Sequence, residues 1–266
     1  EVGGLVLGGF EPGAKPWGTH TIPDNFVFQL LPEDWDQFEV FMHSSIRLLP
    51  AVEHAQIRQL LVGPESFTPD NAYCLGAAPG WQNLYIAAGF NSVGIASAAG
   101  AGWALSEWIA EGQATMDLAD VDVRRFHGWD WNRTYLAERT TETVGTLYAM
   151  HWPYRQMETG RGLRRSPLHE ALKNEGAVYG QVAGWERPNW FAFESQRPEY
   201  EYAWGRQNWH ENHRQEHMAV REACGLFDMA SYGKLLVQGR DAEKLLSRLC
   251  SNNVAVPPGR IVYTQM

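Results

Sequence analysis

The chain has 266 residues, of which 44% are hydrophobic and 20% charged, and its net charge is -9 with an isoelectric point near 5.5. This is the composition of a globular protein with room for two domains. The negative charge excludes a nucleic-acid or anionic-membrane surface, because phosphate binding needs clustered Lys and Arg, and only residues 161–165 form such a cluster.

The three cysteines indicate a compartment. Cys74, Cys224 and Cys250 are far apart and form no CxxC spacing, which argues against a disulfide framework and a zinc ribbon. A reducing compartment is therefore expected, either the cytoplasm or, in a eukaryote, the mitochondrial matrix. No apolar run reaches the length of a transmembrane helix, so no membrane span is expected.

The first part of the sequence predicts a strand, a loop and a helix. Residues 2–10 look like a strand, and residues 11–18 are a loop rich in proline and glycine. Residues 32–35 are expected to start a helix with acidic residues in its first turn, and Pro50 closes it. Because the chain starts with Glu inside a strand-like run and stops inside another at residues 260–266, we expect it to be an excerpt of a longer polypeptide.

In residues 84–112 the spacing of the apolar residues changes from that of a strand to that of a helix, and the change falls at a glycine turn. Residues 84–88 have the form of a buried strand, and residues 89–94 form a turn whose glycines allow positive φ and whose Asn91 and Ser92 can cap the next helix. That helix runs from Ile95 and stops at Gly112. Its first two turns are almost all Gly, Ala and Ser, so a large group can approach the backbone closely.

Two interpretations of this helix start stay open. Its unpaired N–H groups carry partial positive charge and suit a carbonyl oxygen or an anion, such as the pyrimidine edge of a flavin. Alternatively, the small residues let the helix pack tightly against a sheet. Gly100 and Gly102 are not a dinucleotide fingerprint, because they lie inside the helix.

The second half predicts three helices and one strand. Helices are expected over residues 132–150, 210–222 and 241–250, and a strand over residues 234–238. The arginines of residues 161–165 are interpreted as a solvated or ion-paired surface. Three aromatic side chains are expected to fill a seam between domains, although they could also hold a planar ligand: Trp185, Trp190 and Phe191.

Motifs for metal binding and covalent catalysis are weak. His213, Glu216 and His217 match the H-x-x-E-H spacing, with His210 on the same face, but a metal would need a further ligand and such short matches arise by chance. Gly233-Lys234 lacks the earlier glycine of a P-loop. No Gly-x-Ser-x-Gly elbow and no Cys–His arrangement is present, so we assign no metal site and no catalytic residue to this chain.

Several motifs occur in a specific order and spacing. They are EPGAKPW at 11–17, GPESFTPD at 63–70, LG at 75–76, AAGFNSVGI at 87–95, YAMHWP at 148–153, LRRSPL at 163–168, GWERPNWF at 184–191, the stretch from FDM at 227–229 to GK at 233–234, Gly239, SNN at 251–253 and the stretch from PGR at 258–260 to YT at 263–264. Together they resemble the dimethylglycine and sarcosine dehydrogenase family of D-amino-acid-oxidase-like flavoproteins, and the resemblance covers nearly the whole chain.

This resemblance implies a mixed α+β and α/β fold in three parts. They are the C-terminal portion of an FAD-dependent oxidoreductase domain (1–125), a central linker domain (126–182) and the start of an aminomethyltransferase-like, folate-binding domain (183–266). It also implies that seven residues contact the flavin of FAD: Gly89, Phe90, Asn91, Ser92, Val93, Gly94 and Ile95. Tyr263 matches a tyrosine that lines the tetrahydrofolate pocket.

The implied reaction is oxidation of the N-methyl group of dimethylglycine or sarcosine, with transfer of the one-carbon unit to tetrahydrofolate. Oxygen or an electron-transfer flavoprotein would reoxidise the flavin. The sequence holds neither the G-x-G-x-x-G segment for the FAD pyrophosphate nor, in residues 63–65, an arginine for a substrate carboxylate, so the activity belongs to the parent protein. A non-catalytic alternative stays open, because the regulatory subunit of pyruvate dehydrogenase phosphatase resembles these enzymes but acts as a binding protein.

Overall fold

The computed structural model describes residues 3–150 and 155–266. Within them, six α-helices accompany two antiparallel sheets of two strands each. The elements are α1 (Trp35–Leu48), β1 (Cys74–Ala77), β2 (Tyr85–Ala88), α2 (Gly94–Glu111), α3 (Arg133–Thr146), α4 (His169–Asn174), β3 (Ala177–Val182), β4 (Trp185–Phe191), α5 (His210–Glu222) and α6 (Ala242–Leu249). Short 3-10 helices cover Pro50–His54, Val123–Arg125 and Gly128–Trp131. This mixed architecture confirms the predicted fold class.

The helix ends follow signals that the sequence carries. Asp34 caps α1 by accepting the Gln37 N–H at 3.0 Å, and Asn132 caps α3 by accepting the Tyr135 N–H at 3.1 Å. Gly112 ends α2 in the left-handed region, with φ at 74°. All five predicted helices are therefore confirmed, although α3 ends earlier than expected, at Thr146.

The first core lies between the β1–β2 sheet and α2. Leu75 of β1, which pairs with Ala87 of β2, is fully buried against Ala101 and Ala104 of α2. The small residues on this face of α2 let the helix approach the sheet, which is the packing interpretation of the small-residue stretch. The predicted strand at 84–88 is confirmed as β2.

The second core is built on the β3–β4 hairpin, which sequence reasoning missed. Its two-residue turn, Ala183 and Gly184, has φ of 47° and 75°, the geometry of a type I′ turn, but Ala-Gly is not the usual signature of that turn. Pro188 in β4 lies opposite Tyr179 at a bulge, where a proline is tolerated. The expected junction between residues 182 and 183 falls at this turn, and the bounds of the three domains stay predictions.

Aromatic side chains pack along this hairpin. Trp190 is fully buried and lies 6.3 Å from Trp209 and 6.2 Å from Tyr200 between ring centroids. Trp185 and Phe191 are half-buried, and the Arg164 guanidinium lies 4.4 Å from the Trp185 ring centroid. Trp190 therefore has the packing role that was expected for this group.

Three strand predictions are wrong. Residues 3–10, 234–238 and 260–266 are irregular, because no neighbouring strand pairs with them among the described residues. Residue 2 of the first predicted strand, and His151, Trp152 and Pro153 of the quoted motif, lie outside the described residues. Within the described ranges, no helix combines the length and apolarity needed to cross a bilayer.

A buried ion pair joins residues 155–168 to the hairpin. Arg161 donates to both carboxylate oxygens of Glu186, at 2.9 and 2.5 Å, and the Gly162 N–H donates to the same carboxylate at 2.6 Å. The Glu186 side chain is 3% exposed. Burial raises the pKa of Glu186, but the hydrogen bonds from Arg161 and Gly162 outweigh it and hold the pKa below its usual range. Arg161 and, through Glu170, Arg165 are thus ion-paired, as expected, whereas Arg164 stacks on Trp185.

We predict that Glu186→Gln lowers the free energy of unfolding by about 2 kcal/mol at pH 7, because it leaves the Arg161 charge without its buried partner. Because the pKa of Glu186 is lower in the folded state, its ionised carboxylate stabilises the fold at any pH above its pKa in the unfolded chain, near 4.5. This stabilisation is lost as the pH falls through the pKa of the folded state. The difference in free energy of unfolding between wild type and variant, measured by urea titration, should therefore shrink as the pH falls below 4.5. Glu170→Gln is the control, since this exposed carboxylate pairs with Arg165 on the surface and should have no measurable effect. A pH-independent difference for Glu186→Gln would contradict the charge-based explanation.

Candidate functional site

The turn between β2 and α2 has an unusual backbone. Gly89, Asn91 and Ser92 all lie in the left-handed region, with φ of 65°, 49° and 64°. A Cβ at residue 89 would lie 2.7 Å from Thr68 Cγ2, so this position requires glycine for space as well as for φ. The turn brings together all seven residues that the resemblance assigns to flavin contact, and their contact with flavin stays a prediction.

The Asn91 side chain holds the turn from inside. It is 1% exposed. Its Oδ1 accepts the Thr68 N–H at 2.8 Å, and its Nδ2 donates to the Gly89 carbonyl at 2.7 Å and to Thr68 Oγ1 at 3.2 Å. The Asn91 backbone N–H also donates to the Ser66 carbonyl at 3.1 Å, so Asn91 shapes the turn and presents no free donor to a ligand.

The capping prediction for Asn91 and Ser92 is wrong. The N-cap of α2 is Val93, and no side chain caps it. Asn91 is turned inward by its bonds to Thr68, and Ser92 Oγ donates to Glu65 Oε1 at 2.8 Å. The helix start consequently keeps its N–H groups for another acceptor.

The amide groups at the start of α2 are unpaired. Among the described residues, the N–H groups of Gly94, Ile95 and Ala96 donate to no acceptor, and the first internal bond is Ser97 N–H to Val93 O at 3.0 Å. The Ile95 side chain is fully exposed. Such groups carry the positive end of the helix dipole and suit a carbonyl oxygen or an anion.

The two faces of α2 differ. Ala101, Ala104 and Trp108 are buried in the first core, whereas Gly100 and Gly102 lie on an open face where an added Cβ would meet nothing within 4 Å. The two interpretations of the small-residue stretch therefore apply to different faces. The packed face fixes the helix, and the open face leaves its backbone accessible.

A salt bridge closes the loop that carries Thr68. Arg125 donates to both oxygens of Asp70, at 2.7 and 3.0 Å, and to the Ala72 carbonyl at 2.6 Å. Sequence reasoning missed Arg125 because 55 residues separate it from Asp70. Its charge is already neutralised, so it does not replace the substrate-binding arginine that residues 63–65 lack.

Cys74 lacks the lowered thiol pKa of an activated nucleophile. Burial raises the pKa of its thiol, and this effect exceeds the opposing influence of the Arg125 guanidinium. A thiol with a raised pKa stays protonated at neutral pH and is unreactive. All three cysteines are free.

Tyr263 lies apart from the flavin-contacting turn. Its ring is 87% exposed, and it shares no hydrogen bond or ring contact with residues 89–95 within the described ranges. Its carbonyl accepts the Asn252 side-chain amide at 3.1 Å, and the Ser251 N–H donates to the Gln265 carbonyl at 2.9 Å. The structure therefore joins two of the segments behind the resemblance, and the folate role of Tyr263 stays a prediction.

The H-x-x-E-H residues have structural contacts. His213 Nε2 lies 2.9 Å from the Asn189 carbonyl oxygen, and Glu216 accepts the Phe191 N–H at 2.9 Å. Both contacts attach α5 to β4. Over residues 3–150 and 155–266, no group of three or more His, Cys, Asp or Glu side chains has the arrangement of a metal site.

We predict that Gly89→Ala lowers the free energy of unfolding by about 2–4 kcal/mol, because it adds left-handed strain and a clash with the Thr68 methyl group. The Thr68 side chain cannot rotate away without breaking the bonds of its Oγ1 to Asn91 Nδ2 and to the Ala72 carbonyl. Gly80→Ala is the matched control, because φ there is 78° but an added Cβ meets nothing within 4 Å. It should cost only about 1 kcal/mol. If urea titrations gave the same decrease in free energy of unfolding for both variants, the prediction would be wrong and the turn would tolerate the added methyl group.

Comparisons with known proteins divide the chain into three consecutive parts. The family model described as FAD dependent oxidoreductase matches residues 1–108. The FAD dependent oxidoreductase central domain matches residues 111–166, and the GCVT N-terminal domain matches residues 168–266. This is the order that the motifs predict.

Similar proteins include enzymes and a regulator. A 4-methylaminobutanoate oxidase (formaldehyde-forming) of Paenarthrobacter nicotinovorans is 42% identical over 264 residues, covering 99% of this chain and 32% of the relative. Mitochondrial sarcosine dehydrogenase of Homo sapiens is 34% identical over 287 residues, covering 98% and 31%. The mitochondrial pyruvate dehydrogenase phosphatase regulatory subunit of Mus musculus is 34% identical over 274 residues, covering 99% and 30%. The chain thus spans about a third of the length of the curated relatives that it matches. In agreement with the resemblance, the chain therefore carries, in this order, segments that match an FAD dependent oxidoreductase, the central domain of such an enzyme and a GCVT N-terminal domain.

Proposed function

We propose that this chain contributes the flavin-contacting turn of an oxidase or dehydrogenase that acts on the N-methyl group of a small amino acid. The observation behind the proposal is the β2–α2 turn, in which a buried asparagine fixes the backbone while the N–H groups of Gly94, Ile95 and Ala96 stay unpaired. The match of residues 1–108 to an FAD-dependent oxidoreductase supports this assignment.

The residues present fit a flavin edge. The open face of α2 lets a planar ring approach the backbone, and residues 89–95 surround the helix start. The unpaired N–H groups would stabilise negative charge at a ring carbonyl oxygen, at a place where the dipole of α2 adds to their effect. When bound, FAD would supply the chemistry of accepting a hydride equivalent from the substrate carbon.

The proposed substrate is sarcosine or dimethylglycine. Both have an N-methyl group near a carboxylate, and a similar protein is named sarcosine dehydrogenase. The name 4-methylaminobutanoate oxidase describes a longer compound with the same two groups, so chain length is the property that distinguishes the candidates. Because Arg125 is occupied by Asp70, we expect the residue that binds the substrate carboxylate to come from outside the loop at 63–70.

The GCVT segment indicates the fate of the methyl carbon. We propose that the one-carbon unit passes to tetrahydrofolate bound by the domain that begins in this segment, where Tyr263 lines the pocket. The match of residues 168–266 to a GCVT N-terminal domain supports this step. A formaldehyde-forming relative defines the alternative, in which the carbon is released instead.

The electron acceptor and the compartment complete the proposal. We propose that oxygen or an electron-transfer flavoprotein reoxidises the flavin. The names of the mitochondrial relatives support the mitochondrial matrix if the source is a eukaryote, and the cytoplasm is proposed otherwise.

We predict that the full-length protein shows flavin absorption bands that bleach anaerobically with sarcosine or dimethylglycine, because either substrate would reduce the flavin. The spectrum is recorded before and after each addition. 4-Methylaminobutanoate tests the longer substrate, and glycine, which lacks the methyl group, is the control that should leave the bands unchanged. Bound flavin that none of the three N-methyl compounds bleaches would contradict the substrate class.

A regulatory function is the second candidate, and the 34% identity to the phosphatase regulatory subunit supports it. In that case the architecture serves binding and no substrate is oxidised. Absence of bound flavin from the full-length protein would favour this candidate and overturn the enzymatic proposal.

A further inference from the structure

Helix α3 contacts the flavin-contacting turn through a buried threonine. Thr143 is completely buried. Its Oγ1 lies 3.2 Å from the carbonyl oxygen of Thr68 and 3.2 Å from that of Thr140, one turn back in its own helix. The hydroxyl therefore links α3, which lies in the segment matched to the central domain, to a loop in the segment matched to the oxidoreductase domain.

A second bond runs in the opposite direction. Asn71 Nδ2 donates to the Thr143 carbonyl at 2.9 Å and lies 3.4 Å from Thr146 Oγ1. The backbone of Asn71 is left-handed, with φ at 59°, which directs its side chain at α3 from the same loop. The loop and the helix thus exchange hydrogen bonds at residue 143.

Thr68 also bonds Asn91 of the turn and so connects α3 to it. Its N–H donates to Asn91 Oδ1, and its Oγ1 accepts from Asn91 Nδ2 and donates to the Ala72 carbonyl at 2.9 Å. Thr143, Thr68 and Asn91 are 0%, 6% and 1% exposed, so water does not compete for these groups. A continuous buried chain of bonds therefore joins α3 to the Gly89 carbonyl.

The position of α3 is also fixed sterically. A Cβ at Gly145 would lie 2.6 Å from Pro12 Cα and 3.1 Å from the Glu11 carbonyl oxygen, so the helix lies directly on this loop. Close backbone contact on one side and buried hydrogen bonds on the other leave α3 little freedom to shift without moving the loop at Thr68.

We propose that α3 of the central segment is a positioning element for the flavin, acting through Thr143, Thr68 and Asn91. This inference rests on the proposed flavin contact of residues 89–95. None of the three side chains needs to contact the flavin. They set where the N–H groups at the start of α2 point, and those groups set the electrostatic environment of the ring.

The test replaces Thr143 in the full-length protein. Thr143→Val keeps the shape but removes the hydroxyl, and Thr143→Ser keeps the hydroxyl. Thr141→Val is the matched control, because the Thr141 hydroxyl bonds only the Ala137 carbonyl within α3, at 2.8 Å. Hydrogen exchange of the Asn91 and Val93 amides, which donate to the carbonyl oxygens of Ser66 and Phe90 at 3.1 and 2.9 Å, reports on the turn, and the flavin midpoint potential reports on the ring environment.

We expect Thr143→Val to speed amide exchange in the turn at least tenfold and to shift the ratio of oxidised to reduced flavin about tenfold, which is about 30 mV for a two-electron couple. Thr143→Ser and Thr141→Val should match wild type in both. Unchanged exchange in Thr143→Val, or faster exchange with an unchanged potential, overturns the positioning role. If wild type binds no flavin, the proposed function fails, and the exchange data then decide separately whether α3 holds the turn.

Discussion

The buried pairing of Asn91 with Thr68 is the interaction on which the candidate site depends. An amide side chain that is 1% exposed must satisfy its donors and acceptor internally, and here it does so in a turn where Gly89, Asn91 and Ser92 adopt left-handed conformations. Those conformations direct the chain from β2 into α2. The cost of the strained backbone is thus offset by bonds that exist only in this arrangement.

The loop with Thr68 is in turn held by charge and by α3. Arg125 neutralises Asp70 and bonds the Ala72 carbonyl, while Thr143 and Asn71 attach the same loop to α3. These contacts engage Thr68, Asp70 and Arg125 with the loop and with α3, and none of them occupies the N–H groups at the start of α2. A site for a carbonyl oxygen or an anion results from the surroundings of the helix start as well as from the helix dipole.

Local signals were sufficient for five of the six helices and for the turn, whereas α4 was not predicted. Asp34, Asn132 and Gly112 act on neighbours within four residues, so their effects could be read along the chain. The hydrogen bonds that define the site could not be predicted in this way, because 23 residues separate Thr68 from Asn91 and 75 residues separate it from Thr143. Threonine also has no sequence pattern that distinguishes a buried bridging hydroxyl from a surface one.

The wrong strand predictions share a physical cause. A strand pattern states only that one face is apolar, and pairing requires a second strand elsewhere in the chain. Leu235, Leu236 and Ile261 have this pattern but are 86%, 82% and 98% exposed. The accessible surface of 20,224 Å² is well above the roughly 12,000 Å² of a compact protein of this mass. The excess lies partly in these apolar segments, so burial against a further protein surface would give them the stabilisation that α2 already draws from β1.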